Sequence, residues 1–350
     1  MTYRKKSILL PVAAGLLFGA IWLSPFLGKG IPGGVLPVAA QDNSFALYLP
    51  LVTKPPDSFT FASMGDAHAS PSAFAITVNQ LSTLDPDFVI FNGDLEHDGV
   101  VSTEMDPLIA DLKNAGLYDQ FFPVRGNHDD HVAGSADLWE NYLEAAPNLR
   151  IFPTGVNEYA SLDSSSDTLN YSFIYENSMF IGLDTPDNVD DLTSAQLAFL
   201  DSRLTYAEIM GLVHAFIYFH SPVYCVESKH CSCSIRTDSS CTPSALVTVI
   251  NYHPIISAFF HGHEHILGWT HMDDTRLAGL TGSFEEFLTS PSGTSTYNSN
   301  LYPARMDYTY MGTETVFATI TVTGNSFTVN FYKTGTTDPV WTRIFTKSAP

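Results

Sequence analysis

Phe88-Val89-Ile90-Phe91-Asn92-Gly93-Asp94 is a short apolar run that ends on a glycine and a carboxylate. Large apolar residues with no helical spacing, bounded by turn residues, read as a strand buried on both faces. The carboxylate then stands where strand hands over to loop, which is where an α/β sheet presents its functional groups. The same arrangement recurs on either side. Phe59 to Met64 leads into Asp66-Ala67-His68, and Phe121 to Val124 leads into Gly126-Asn127-His128-Asp129. Further on, His214 to Phe219 ends on His220, and Ile255 to Phe260 continues into His261-Gly262-His263-Glu264-His265. Met179 to Leu183 is another strand-like run.

Helical patterns alternate with these strands. Ser70-Pro71 opens a helix with Phe74, Val78 and Leu81 on one face, and Asp106-Pro107 is expected to open a second that stops near Gly116. A third begins at Thr193, where Gln196 completes a capping box and Leu197, Leu200 and Leu204 form the buried side. Toward the C-terminus Val316, Ala318, Ile320 and Val322 alternate, Gly324-Asn325 supplies a turn, and Phe327, Val329 and Phe331 alternate again, which predicts a β-hairpin. The Ser/Thr/Gly-rich stretch from Thr289 to Asn300 reads as a loop. Strands alternating with helices make the class α/β. With 350 residues, 45% hydrophobic and 13% aromatic, the chain can bury a sizeable core, and residues 58–350 read as one catalytic domain.

The first 40 residues have a different logic. Arg4, Lys5 and Lys6 precede an apolar run from Ile8 to Leu27, and Val38-Ala39-Ala40 offers the small residues read at a cleavage site, so residues 1–40 are expected to be a signal peptide. An uncleaved membrane anchor is the alternative; in either case the remainder lies outside the cytoplasm, secreted or at the cell envelope. Residues 41–57 read as an extended lead-in. Without residues 1–40 the chain keeps 12 basic against 37 acidic residues, a net of −25. Such a surface repels polyanions, which argues against extended nucleic acid as a partner and for a small-molecule substrate. Cys225, Cys231, Cys233 and Cys241 fall in one short segment after His220. In an oxidising compartment this predicts two local disulfides of undetermined pairing, with a structural zinc site that includes His230 as the competing reading. The segment either roofs the cleft beside His220 or is a surface insertion stapled for stability.

The strand-end clusters share a chemistry, since carboxylate, amide and imidazole are ligands for hard and borderline divalent or trivalent cations. Two such cations about 3.5 to 4 Å apart supply what phosphate-ester hydrolysis needs: a nucleophile near neutral pH, charge neutralisation and in-line geometry. Each cluster alone is a weak signal; their order, each after a strand, is a strong one.

The order Asp-x-His, Gly-Asp, Gly-Asn-His-Asp, His, Gly-His-x-His resembles the calcineurin-like metallophosphoesterase superfamily over roughly residues 58 to 335. Asn170-Tyr171-Ser172-Phe173 running into Met179 to Asp184, and Thr193 to Leu197 after it, resemble the secreted branch related to purple acid phosphatases. The resemblance implies two mixed β-sheets packed face to face and flanked by helices. It also implies two metal ions, iron, manganese or zinc. Asp66, His68, Asp94 and His265 would hold the first, and Asp94, Asn127, His220 and His263 the second, with Asp94 as the bridge. A metal-bridging hydroxide would attack directly, without a covalent phosphoenzyme, on small phosphomonoesters or, alternatively, phosphodiesters. His128 would protonate the leaving oxygen and Asp129 would orient its imidazole. Purple acid phosphatases carry an iron-binding tyrosine three residues after the bridging carboxylate; here His97 stands in that place and His68 is present, so no purple band is expected. Arg125, His97 and His131 are possible substrate contacts, His261 is expected to orient a ligand, and His214, His230, His253 and His271 are read as structural. A catalytically silent metal-binding envelope module is the reading from another class.

Overall fold

The computed structural model describes residues 58–68, 70–144, 156–162, 169–185, 192–227 and 244–347. The expected signal peptide and lead-in, together with His230, Cys231, Cys233 and Cys241, lie outside the described residues. Among the described residues no helix is long and apolar enough to cross a membrane.

In chain order the first half contains β1 (Phe59–Met64), α1 (Pro71–Ser82), β2 (Phe88–Asn92), α2 (Ser102–Ala115), β3 (Phe121–Val124), α3 (Ser135–Glu144), β4 (Val156–Ser161), β5 (Tyr171–Tyr175) and β6 (Ser178–Gly182). The second half contains α4 (Ser194–Ile209), β7 (His214–Tyr218), α5 (Ser244–Tyr252), β8 (Ile256–His261), β9 (Leu267–Met272), β10 (Phe284–Thr289), β11 (Tyr308–Thr309), β12 (Val316–Thr323), β13 (Ser326–Lys333) and β14 (Trp341–Thr346). The strands make two mixed sheets, ordered β14-β13-β12-β1-β2-β3 and β11-β9-β10-β8-β7-β6-β5-β4. β1, β2 and β3 are parallel and end the first sheet at β3, with antiparallel β12 beside β1, whereas the parallel β6, β7, β8 and β10 lie between antiparallel β5 and β9. The five ligand-bearing clusters therefore follow the C-terminal ends of β1, β2, β3, β7 and β8.

Aromatic side chains join the sheets. The ring of Phe61 on β1 lies 4.9 Å from Phe180 on β6, 5.2 Å from Phe216 on β7 and 5.6 Å from Phe260 on β8. Such pairs contribute roughly 0.5 to 1.5 kcal/mol each beyond the area they bury. Alternation along each strand sends the intervening residues to the other face. Met179, Ile181, Ala215, Ile217 and Phe259 thus pack with Leu200 and Leu204 of α4 and Leu246 and Ile250 of α5. On the first sheet, Phe74 of α1 meets Phe91 of β2 at 6.2 Å.

Local signals are met where their partners are local. The Thr193 side chain accepts from Gln196 N–H and the Gln196 side chain accepts from Thr193 N–H, closing the capping box. β12 and β13 pair through a two-residue turn, Thr323 opposite Ser326, with Gly324 at φ 61°. The second helix departs from expectation: it begins at Ser102, so Pro107 lies inside it rather than at its start. Pro107 has no N–H to give to the preceding turn, yet that turn holds because Glu104 accepts from the backbone N–H groups of His97 and Asp98 (2.9 and 3.4 Å) and Met105 is buried.

Candidate metal centre

The backbone at the strand ends is bent into the left-handed region. Among the described residues seven non-glycine positions have positive φ, and five of them are Asp66, His68, Asp94, His263 and His265, at φ 50° to 65°. That conformation is costly for residues with a Cβ and persists only where its surroundings enforce it, so the strain is concentrated on the expected ligands. The glycines of the motifs have a packing reason. A Cβ on Gly93, itself at φ 90°, would stand 2.6 Å from His220 Nδ1, and one on Gly126 would collide with Asp94 Oδ1.

The side chains converge in two groups that share one atom. In the first, Asp66 Oδ1 lies 3.2 Å from His265 Nε2 and 3.7 Å from His68 Nε2, and the two imidazole nitrogens are 3.2 Å apart. In the second, Asn127 Oδ1 lies 3.0 Å from both His220 Nε2 and His263 Nδ1, which are 3.1 Å from each other. Asp94 Oδ2 reaches both groups, 3.3 Å from His68 Nε2 and 3.1 Å from His220 Nε2. Its other oxygen accepts the N–H of His128 at 2.9 Å.

These residues fit two cations on the chemistry of the donor set. His220 Nδ1 lies 2.8 Å from the Asn92 carbonyl and His265 Nδ1 lies 3.0 Å from the Ser295 carbonyl. A carbonyl only accepts, so each Nδ1 carries its hydrogen and each Nε2 is the nitrogen that can give a lone pair to a cation in the centre. Asn127 Oδ1, His220 Nε2 and His263 Nδ1 thus converge within 3.1 Å of one another, an arrangement that a cation between them satisfies. Cation binding would displace a proton from His68 and His220, which the carboxylates otherwise hold charged. Burial disfavours the charge on Asp66 and Asp94, but the imidazoles of His265 and His220 outweigh it and hold both carboxyls well below the usual range. Burial likewise opposes the charge on His68 and His220, but the same carboxylates lift them to about 10 and about 9.

Around this centre several expectations change. Asp129 does not touch the His128 ring. It is fully buried and accepts from the backbone N–H groups of Asp94 (2.9 Å), Gly126 (2.8 Å) and Glu96 (2.8 Å), so it ties two ligand-bearing turns together. Burial and the neighbouring charge of Asp94 push it up to about 7. The orienting contact on His128 is the carbonyl of His97, 2.7 Å from its Nδ1. Arg125, read from the sequence as a possible substrate contact, is engaged by protein groups: its Nε and Nη2 donate to both oxygens of Asp184 (2.9 and 2.7 Å) and its Nη1 donates to Asp130 and Ser135, with 4% of its surface exposed. His131 and His97 flank His128, with ring centroids at 4.7 and 4.9 Å. His261 orients no metal ligand. Strand alternation places it with Phe259 on the outer face, where its Nδ1 donates to the Phe219 carbonyl (2.9 Å) and burial pushes it down to about 3. His214, His253 and His271 have side-chain partners away from the centre, as expected of structural residues.

Two contributions have no sequence signature of the kind that marks the clusters. The Ser/Thr/Gly-rich loop after β10 closes over the first group, its Tyr297 ring lying flat on His265 at 4.2 Å and 7°. Asn92 holds His220 through its carbonyl, while its amide donates to Ser63 and Thr289. Of the four cysteines only Cys225 is among the described residues, buried beside this region.

A family model described as calcineurin-like phosphoesterase matches residues 59–267, a span that contains all seven candidate ligands. Among solved structures, a dimetal phosphatase from Danio rerio is 16% identical with a TM-score of 0.56, covering 84% of this chain and 100% of that one. A purple acid phosphatase from yellow lupin (Lupinus luteus) seeds is 13% identical with a TM-score of 0.62, covering 83% of this chain; the chain spans 54% of the lupin protein's length. The inner-membrane-complex anchor protein of Plasmodium is 14% identical with a TM-score of 0.53, covering 83% of this chain and 90% of that one. At these identities the likeness is one of fold. A search of curated proteins finds no match.

Proposed function

Since the chain belongs to the calcineurin-like phosphoesterase family, we propose that it is an exported two-metal hydrolase of small phosphomonoesters. The observation that carries the reading is Asp94 Oδ2, which lies within 3.3 Å of an imidazole nitrogen in each of two separate ligand groups. A carboxylate oxygen within reach of two donor sets is placed to bridge a cation pair.

Asp66, His68, Asp94 and His265 would hold one cation and Asp94, Asn127, His220 and His263 the other, with iron, manganese or zinc suited to this mixture of oxygen and nitrogen donors. Bound there, the cations would activate water and neutralise charge on the phosphoryl oxygens. His128 is half-buried, and with its Nδ1 committed to the His97 carbonyl its Nε2 is the atom left to protonate the leaving oxygen. Burial lowers its pKa, so the acid form depends on the anionic substrate beside it. The −25 balance of residues 41–350 supports a small substrate over a polyanion. Export rests on the composition of residues 1–40, and a disulfide-stapled segment after His220 is supported by the lack of a free thiol at Cys225.

The test is elemental analysis of natively purified protein followed by turnover of aryl phosphate mono- and diesters, with His128→Ala alongside. Two metal equivalents, faster monoester cleavage and a deficit in His128→Ala of roughly 10²-fold or more are expected. Hydrolysis of neither ester class under any metal loading would favour a silent metal-binding module.

A further inference from the structure

His97 is exposed, yet it engages two other imidazoles at once. Its Nδ1 lies 3.2 Å from His68 Nδ1, its carbonyl oxygen lies 2.7 Å from His128 Nδ1, and its ring overlies that of His128 at 4.9 Å with the planes 14° apart. Its main chain is anchored, because its N–H donates to Glu104 Oε2 at 2.9 Å. His68 turns Nε2 toward Asp66 and Asp94, so as a ligand it must keep its hydrogen on Nδ1. That hydrogen points at His97 Nδ1, which is an acceptor when His97 carries its own hydrogen on Nε2.

We propose that His97 is a positioning residue whose ring sets the tautomer and orientation of His68 toward the first cation, while its carbonyl does the same for His128 toward the leaving oxygen. This rests on the two-metal reading above. Three residues after Asp94, His97 thus steadies a histidine ligand by a hydrogen bond in place of ligating through its own side chain. The competing use of the same atoms is a third cation held by His68, His97 and His128, which come close enough to form one ligand group. It is disfavoured because His68 would have to give both ring nitrogens and lose a second proton.

The experiment compares wild type with His97→Ala, His97→Phe and His97→Asn. Phe keeps a ring over His128 without an acceptor, and Asn places an amide oxygen near the position of Nδ1. Zinc equivalents per chain and their affinities are measured by chelator competition, with kcat and KM for an aryl phosphate at saturating zinc and melting of the chelated proteins as a folding control. Wild type should bind two equivalents. Ala and Phe should bind one of them about 10 to 100-fold more weakly, with the other unchanged, as expected for loss of a partner to a ligating histidine, and Asn should restore it. Wild-type zinc affinity in Ala and Phe with a raised KM would overturn the proposal in favour of substrate contact. Three equivalents in wild type falling to two in Ala would overturn it in favour of a third cation site. A wild type that takes up no zinc and cleaves no ester would overturn the two-metal reading together with it.

Discussion

β7 carries a histidine at each end of its run, His214 at its start and His220 just past its finish, and both are completely buried. Burial acts on both in the same direction, against the charged form. They nevertheless end far apart, His214 pushed down to about 4 and His220 pulled up to about 9. At the start of the strand the imidazole meets Ser257, the Gly324 carbonyl and the rings of Phe216 and Phe327, groups that hold a neutral ring, with Lys347 opposing charge further. At its end the imidazole meets Asp94, and the attraction exceeds the cost of burial. Residue type and depth are equal at the two ends; the neighbours brought by other strands decide the outcome. One end is built for stability, with apolar contacts and paired polar groups. The other gathers carboxylates and imidazoles on a strained backbone, which creates a place for cations.

Removing the bridge tests this contrast most severely. Asp94→Asn should lower kcat/KM by roughly 10³-fold or more, because one carboxylate places both cations, and should also lower the melting midpoint of chelated protein, because Asp94 is the carboxylate that balances the buried imidazoles of His68 and His220. Unchanged kcat/KM in that variant would show that Asp94 places neither cation. Next, Phe61→Ala in the sandwich interior should cost about 3 to 5 kcal/mol in denaturant unfolding and leave the specific activity of the folded fraction unchanged.

The start of β7 gives a pH-dependent counterpart. The folded pKa of His214 lies below its ordinary value of 6.5, so the unfolded chain takes up the proton first as pH falls. Stability from this group is complete above about pH 6.5 and is lost as pH drops toward about 4. Wild type should therefore lose up to about 3 kcal/mol more than His214→Gln across that window, by urea unfolding at each pH. Equal pH slopes in the two proteins would remove the contrast between the strand's ends. The smallest effect is expected on the outer face, where Thr193→Ala should cost about 1 kcal/mol through the lost helix cap, with no change in activity.

Which strand ends carry ligands was legible because strand and ligand are neighbours in the chain: Gly93-Asp94 and Gly126-Asn127-His128-Asp129 follow their strands within two residues. Destinations that depend on distant groups were not legible. Arg125, just before the second motif, and Asp129, at its end, look functional, yet one is enclosed by Asp184 and Asp130 and the other satisfies backbone N–H groups from two turns. The misplaced start of α2 has the same cause at shorter range, since Pro107 marks a local preference while Glu104 draws its support from the N–H groups of His97 and Asp98, ahead of the helix.

By itself the sequence determined the α/β class, the positions of the strand-end clusters and the donor types they offer, because side-chain chemistry and hydrophobic period are properties of short segments. Only the tertiary structure decided that Asp94 stands between two donor groups, that His97 steadies His68 and His128, and that Tyr297 lies on His265. Those are contacts between residues tens to hundreds of positions apart, and only the packing of two mixed sheets sets their distances.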